Sequence, residues 1–184
     1  MLDKIKSVLF NAYAVNKTGK LFILEETGRE ASCKEAYVEA KNDYLIYKFD
    51  QSVIRDTKEI KHRFPFYNDG NAHAMCDYII FYENTAGKIF SVICNLKSNT
   101  KGNNTDQINA GVIFSQFIFD TTKRLYPDSF MNNTKLNIVK VLFSSKELYK
   151  KSGDRKKSGE IINLISNDKI TERLILENKC RVIN

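Results

Sequence analysis

The sequence predicts an α/β protein with a mixed central β-sheet flanked by helices. Three observations predict it: a strong hairpin pattern over residues 76–97, a long helical pattern over 105–126 directly after it, and strand-like runs on either side of the pair. The chain has 184 residues, 42% of them hydrophobic, which is enough apolar material for one domain over 1–184 to bury a core. Its 12 Phe and 9 Tyr, with only 2 Pro, exclude global disorder and collagen-like structure. Lys and Arg number 29 against 22 Asp and Glu, a formal net charge of +7 that concentrates polyanions around the surface without naming one.

Cys33, Cys76, Cys94 and Cys180 form no close pair and show no Cys/His spacing suited to zinc, so a reduced, cytoplasmic protein is expected. The apolar run that ends at Phe10 is short, is followed by Asn11 and carries Asp3, which makes a poor signal peptide. No apolar stretch approaches the ~20 residues needed to span a bilayer, and a membrane is not an expected partner.

In chain order, the spacing of Ile5, Val8, Leu9 and Ala12 predicts a first amphipathic helix. Ser32-Cys33-Lys34-Glu35 reads as a capping box that opens a second short helix through about Ala40. Residues 44–49 are a strand, and Gln51 to Asn71, with Pro65, Asp69 and Gly70, is a long surface connection. The hairpin runs from Cys76 to Tyr82 and from Lys88 to Lys97 around the polar turn Glu83 to Gly87. In the helix that follows, Ile108, Val112, Phe114, Phe117, Ile118 and Leu125 predict a long, largely buried element, with Thr105 or Asp106 as N-cap. Leu136 to Phe143 reads as a strand, Gly159 to Ile165 as a helix, and Arg173 to Ile183 as one or two terminal strands broken near Asn178.

A hairpin symmetric about Ala86 sets Asp77 opposite Asn95, and directly opposed residues point to the same face. Lys97, two residues on, shares that face, so three polar groups converge at the open end of an apolar ribbon. Such a set can hold a hard divalent cation through oxygens while the ammonium stabilises or deprotonates an attacking water. The plainer alternative is a cross-strand Asp77–Lys97 ion pair, worth little if exposed. Asn95 alone reads as a strand terminus, and Gln107 equally as a hydrogen-bonding group at the helix start. Cys76 and Cys94 alternate to the opposite face and belong to the core. His62 and His73 have no partner pattern of a general base and read as loop residues.

Asp77, a short hairpin, Asn95-Leu96-Lys97 and a helix opening with Gln107 resemble the core of the PD-(D/E)XK nuclease superfamily, over roughly residues 44 to 145. The resemblance implies a restriction endonuclease-like fold and a Mg2+- or Mn2+-dependent nuclease that hydrolyses phosphodiester bonds, of DNA in the first instance, in prokaryotic restriction or antiviral defence. It implies Asp77 as metal ligand, Lys97 supporting the nucleophile and Gln107 leaning into the site. The second-strand position that is normally acidic is Asn95, whose amide oxygen can ligate a cation but brings no charge. In the superfamily a carboxylate from a helix before the first core strand often completes the site. Glu35 and Glu39 are the candidates; Glu35 already has a return bond to make in the capping box, so Glu39 is the freer. Asp50 and Asp106 are weaker candidates.

Asn95 is also what a catalytically silent member would carry, by natural loss or by deliberate change, and such a module would bind nucleic acid or a protein partner. Related enzymes often pair to cut both strands, so a homodimer enters the expectation. Lys150, Lys151, Arg155, Lys156 and Lys157, in a basic segment that begins at Lys140, are the expected phosphate contacts, with a solvated surface loop as the alternative. A small α/β interaction domain with an incidental motif is the third reading.

Overall fold

The computed structural model describes residues 1–9, 11–15, 21–25, 35–40, 43–49, 53–55, 58–60, 75–97, 104–130, 133–144, 161–165, 173–176 and 180–183. The fold is mixed α/β. Helix α1 (Leu2–Val8) is followed by β1 (Leu21–Glu25), β2 (Glu35–Ala40), β3 (Tyr44–Lys48), β4 (Val53–Arg55), β5 (Lys58–Ile60), β6 (Tyr78–Glu83) and β7 (Ile89–Lys97). Helix α2 (Asn104–Leu125) then leads to β8 (Leu136–Ser144), β9 (Ile161–Ile165), β10 (Arg173–Leu176) and β11 (Cys180–Ile183). A five-stranded sheet has the order β3-β6-β7-β8-β9, and a four-stranded sheet has the order β1-β2-β10-β11. Both are mixed: β3, β6 and β7 run antiparallel, whereas β7, β8 and β9 are parallel neighbours. No helix among the described residues is long and apolar enough to cross a membrane.

The β6–β7 hairpin forms because its turn satisfies itself. Asn84 Oδ1 accepts the backbone N–H groups of Ala86 (3.0 Å) and Lys88 (2.8 Å), and Gly87 supplies the positive φ of 72° that closes the turn. The register runs from Tyr78↔Cys94 to Glu83↔Ile89, the symmetric pairing that the turn predicts. Its alternation divides the core. Tyr78, Ile80, Tyr82, Val92, Cys94 and Leu96 face one way and pack with Leu24, Ala36 and Val38 of the second sheet. Ile79, Phe81, Ile89 and Ile93 face the other way and pack with Leu2 and Ile5 of α1 and Ile108, Ile118 and Phe119 of α2. The large sheet is thus covered by helices on one face and by the small sheet on the other.

Several expectations are corrected. Residues 35–40 form β2, not a helix: Ala36 and Val38 are buried at every second position, and pairing with β1 on one side and β10 on the other supplies ladder bonds that outweigh the helical propensity of Glu and Ala. Residues 161–165 form β9, parallel to β8, where a helix is expected from 159; a short apolar run suits either element, and the neighbouring strand decides. The connection over 51–71 contains the β4–β5 hairpin, while Asp50, His62, Pro65, Asp69, Gly70 and also His73 lie outside the described residues. Helix α2 is buried on one face only, since Phe117 and Leu125 are 62% and 50% exposed. Cys94 does face the small sheet, but Cys76 packs beneath α2, because it precedes a bend at Asp77 and the alternation of β6 does not extend through it.

Tyr47 on β3 is 1% exposed, its hydroxyl has no hydrogen-bond partner among the described residues, and burial pushes its phenol up to about 12. Tyr47→Phe is therefore expected to raise stability by about 1 kcal/mol, because it removes a desolvated, unsatisfied hydroxyl. The phenol ionises in the unfolded chain near 10.0 and in the folded chain only near 12, so its contribution is constant below pH 10 and is lost between those values. Urea unfolding at about pH 8 and about pH 11 should show a shallower alkaline loss in the variant.

Candidate functional site

The open end of the hairpin brings together three of the expected residues. Asp77 occupies the bend just before β6, Asn95 lies two positions before the end of β7, and Gln107 is in the first turn of α2. Asn95 Oδ1 accepts the backbone N–H of Asp77 at 3.1 Å, and Asp77 Oδ2 accepts the backbone N–H of Leu96 at 2.6 Å. Asn95 Nδ2 donates to Gln107 Oε1 at 3.1 Å. Both strands thus end by exchanging side-chain bonds for ladder bonds, and the amide of Asn95 extends that exchange to the helix. Asp77 is 5% exposed and Asn95 is fully buried, so the bonds form where water competes little.

Helix position is set by close packing beside this network. A Cβ on Gly111 would stand 2.6 Å from Cys76 Sγ and 2.6 Å from Ile93 Cγ2, so only glycine lets the helix backbone approach the strands here. Farther along, Ser91 Oγ donates to Ser115 Oγ at 2.9 Å, both groups fully buried. These ties between α2 and β7 hold Gln107 against Asn95. Neither Gly111 nor the Ser91–Ser115 pair stands out in the sequence, because close approach and buried pairing become visible only once helix and strand are docked.

Other expected residues fall elsewhere. Lys97 closes β7 opposite Ser144 of β8, and its side chain lies outside the described residues. Glu35 and Glu39 stand on β2 rather than on a helix, opposite Glu25 and Leu21 of β1. Their sheet covers the face of the large sheet away from α2, whereas Asn95 is bonded to α2. The Tyr78 hydroxyl donates to the Glu25 carbonyl at 2.8 Å and accepts its N–H at 3.0 Å, which brings this end of β1 beside the strand that follows Asp77. Asp106 is exposed in the first turn of α2. Lys150, Lys151, Arg155, Lys156 and Lys157 lie outside the described residues. Lys140, at the start of the basic segment, reaches Asn109 Oδ1 of α2 at 3.2 Å.

Among the described residues, no group of three or more His, Cys, Asp or Glu side chains is placed to hold a metal. Among the described residues, the oxygens gathered at the hairpin end are those of the Asp77 carboxylate and of the Asn95 and Gln107 amides. Two clefts, of about 510 and 440 Å3, lie at the turn end of the hairpin, lined by residues such as Asp43, Asn84 and Thr85 or Gly87, Lys88 and Lys135, and neither includes Asp77. No protein-family model, curated protein or solved structure matches the chain.

Proposed function

We propose that the chain is a metal-dependent nuclease of the PD-(D/E)XK type, which hydrolyses phosphodiester bonds of DNA in prokaryotic restriction or antiviral defence. The observation that carries this reading is the hydrogen-bonded meeting of Asp77, Asn95 and Gln107 at the mouth of the β6–β7 hairpin. The element order supports a restriction endonuclease-like core: α1, the antiparallel strands β3, β6 and β7, the crossover helix α2, and β8 parallel to β7. The net charge of +7 suits a polyanionic substrate.

Carboxylate and amide oxygens are the hard donors that Mg2+ or Mn2+ takes, and Mg2+ is commonly held by one or two carboxylates while it keeps several waters. Asp77 and Asn95 fit such an ion in kind, with one formal negative charge between them. When bound, the cation would offset charge developing on the phosphoryl oxygens. Lys97 would support the attacking water, and Gln107 would fix the orientation of Asn95 through its hydrogen bond. Asn95 Oδ1 already accepts the Asp77 N–H, and this commitment favours a second reading: a catalytically silent module that binds nucleic acid or a protein partner.

Supercoiled plasmid incubated with Mg2+ or Mn2+ tests both readings. Nicking that requires the metal and disappears in Asp77→Ala and Lys97→Ala is expected for the first. A silent parent whose Asn95→Glu variant cuts is expected for the second. Cutting that persists in Asp77→Ala removes Asp77 from the site. Binding to DNA should also weaken with salt, since log K falls with log salt concentration by about 0.9 for each phosphate neutralised.

A further inference from the structure

We propose that Asn95 is a positioning residue whose amide assembles the Asp77 site without an ion. The inference deepens the nuclease reading and rests on it only for the identity of the cation position; the assembly itself stands on three hydrogen bonds. An amide carries an acceptor and a donor, and Asn95 uses them in opposite directions: Oδ1 toward the Asp77 N–H and Nδ2 toward Gln107 Oε1. Asp77 returns the connection by accepting the Leu96 N–H, so β6, β7 and α2 are joined at one point, with Asp77 and Asn95 buried and Gln107 partly so.

A carboxylate at position 95 has no donor for Gln107. Gln107 could turn its own amide to donate, yet a second negative group would still stand beside Asp77 where water competes little, and that arrangement calls for a cation. With asparagine the site is formed before any metal arrives. The metal then acts in chemistry alone and contributes little to the shape of the site.

Thermal unfolding in EDTA and in about 1 mM Mn2+, at about pH 8, tests this without any measurement of cleavage. The native chain should melt in one cooperative transition already in EDTA, and any gain in Mn2+ should follow the ion's measured Kd alone. Asn95→Asp should melt lower by roughly 5 °C or more in EDTA and recover most of the loss in Mn2+. An Asn95→Asp loss equal in both conditions would overturn the proposal. Should Asn95→Asp not fold in either condition, hydrogen exchange of the native chain decides. Equal protection of the Asp77 and Leu96 amides in EDTA and Mn2+ supports the proposal, and protection that appears only with Mn2+ refutes it. A chain that never cuts plasmid can pass this test and an active nuclease can fail it, so the two readings fall separately.

Discussion

On the proposed nuclease reading, Asp77→Asn should lower metal-dependent cleavage by about 100-fold or more while the fold survives, whereas Asp77→Ala should lose both activity and stability. The difference follows from what the carboxylate does in the fold. Asp77 Oδ2 accepts the Leu96 N–H at 2.6 Å in a position that is 5% exposed, so truncation to alanine strands a buried donor at a cost of roughly 1–3 kcal/mol. At about 2–4 °C per kcal/mol for a chain of this size, the loss is visible in thermal melts. Asparagine keeps an acceptor of the same shape and gives up only the charge-assisted part of the bond, about 1 kcal/mol. It also removes the one formal negative charge that the described residues offer a cation here, and cleavage should fall by about 100-fold or more. Melting curves and plasmid nicking measured on the same two variants therefore separate the structural from the chemical share of Asp77. If Asp77→Asn cuts as well as the parent, the carboxylate is structural only.

Gly111→Val should be strongly destabilising. Even alanine sets a Cβ 2.6 Å from both Cys76 Sγ and Ile93 Cγ2. The gain in helix propensity over glycine, about 1 kcal/mol, works against an overpacking cost of typically 1–3 kcal/mol, so Gly111→Ala should be mildly to moderately destabilising. Valine adds two methyl groups to the same contact and has lower helix propensity than alanine, and a loss of about 3 kcal/mol or more is expected in urea unfolding. Cys76→Ala in the same chain should recover part of the loss by removing Sγ while Ile93 remains. Independent, additive effects of the two substitutions would show that helix and strands do not meet at this point. Because α2 carries Gln107, displacement of the helix should also loosen the Asn95–Gln107 bond.

Local signals made some of the architecture legible. The turn Asn84 to Lys88 sets the β6–β7 register by its own hydrogen bonds, so Asp77 could be placed opposite Asn95 from symmetry alone. The strand at 136–143, the long helix after the hairpin and the paired strands at the C-terminal end rest on patterns equally local. Less legible were the segments whose neighbours are far away in sequence. Glu35 to Ala40 carries a helix-start signal, but β1 and β10 lie on either side of it, and their ladder bonds select the strand. In removing that helix, the fold also removes the one on which a completing carboxylate was expected.

By itself the sequence determined the hairpin, its register and the identities of the polar groups at its mouth, because turn chemistry and side-chain alternation act over a few residues. Only the tertiary structure decided which atoms those groups share. That Asn95 gives its oxygen to Asp77 and its nitrogen to Gln107 depends on α2 lying close against β7, which in turn depends on a glycine at 111 and a buried serine pair. Such contacts join residues brought together by burial rather than by spacing, and no local pattern specifies them.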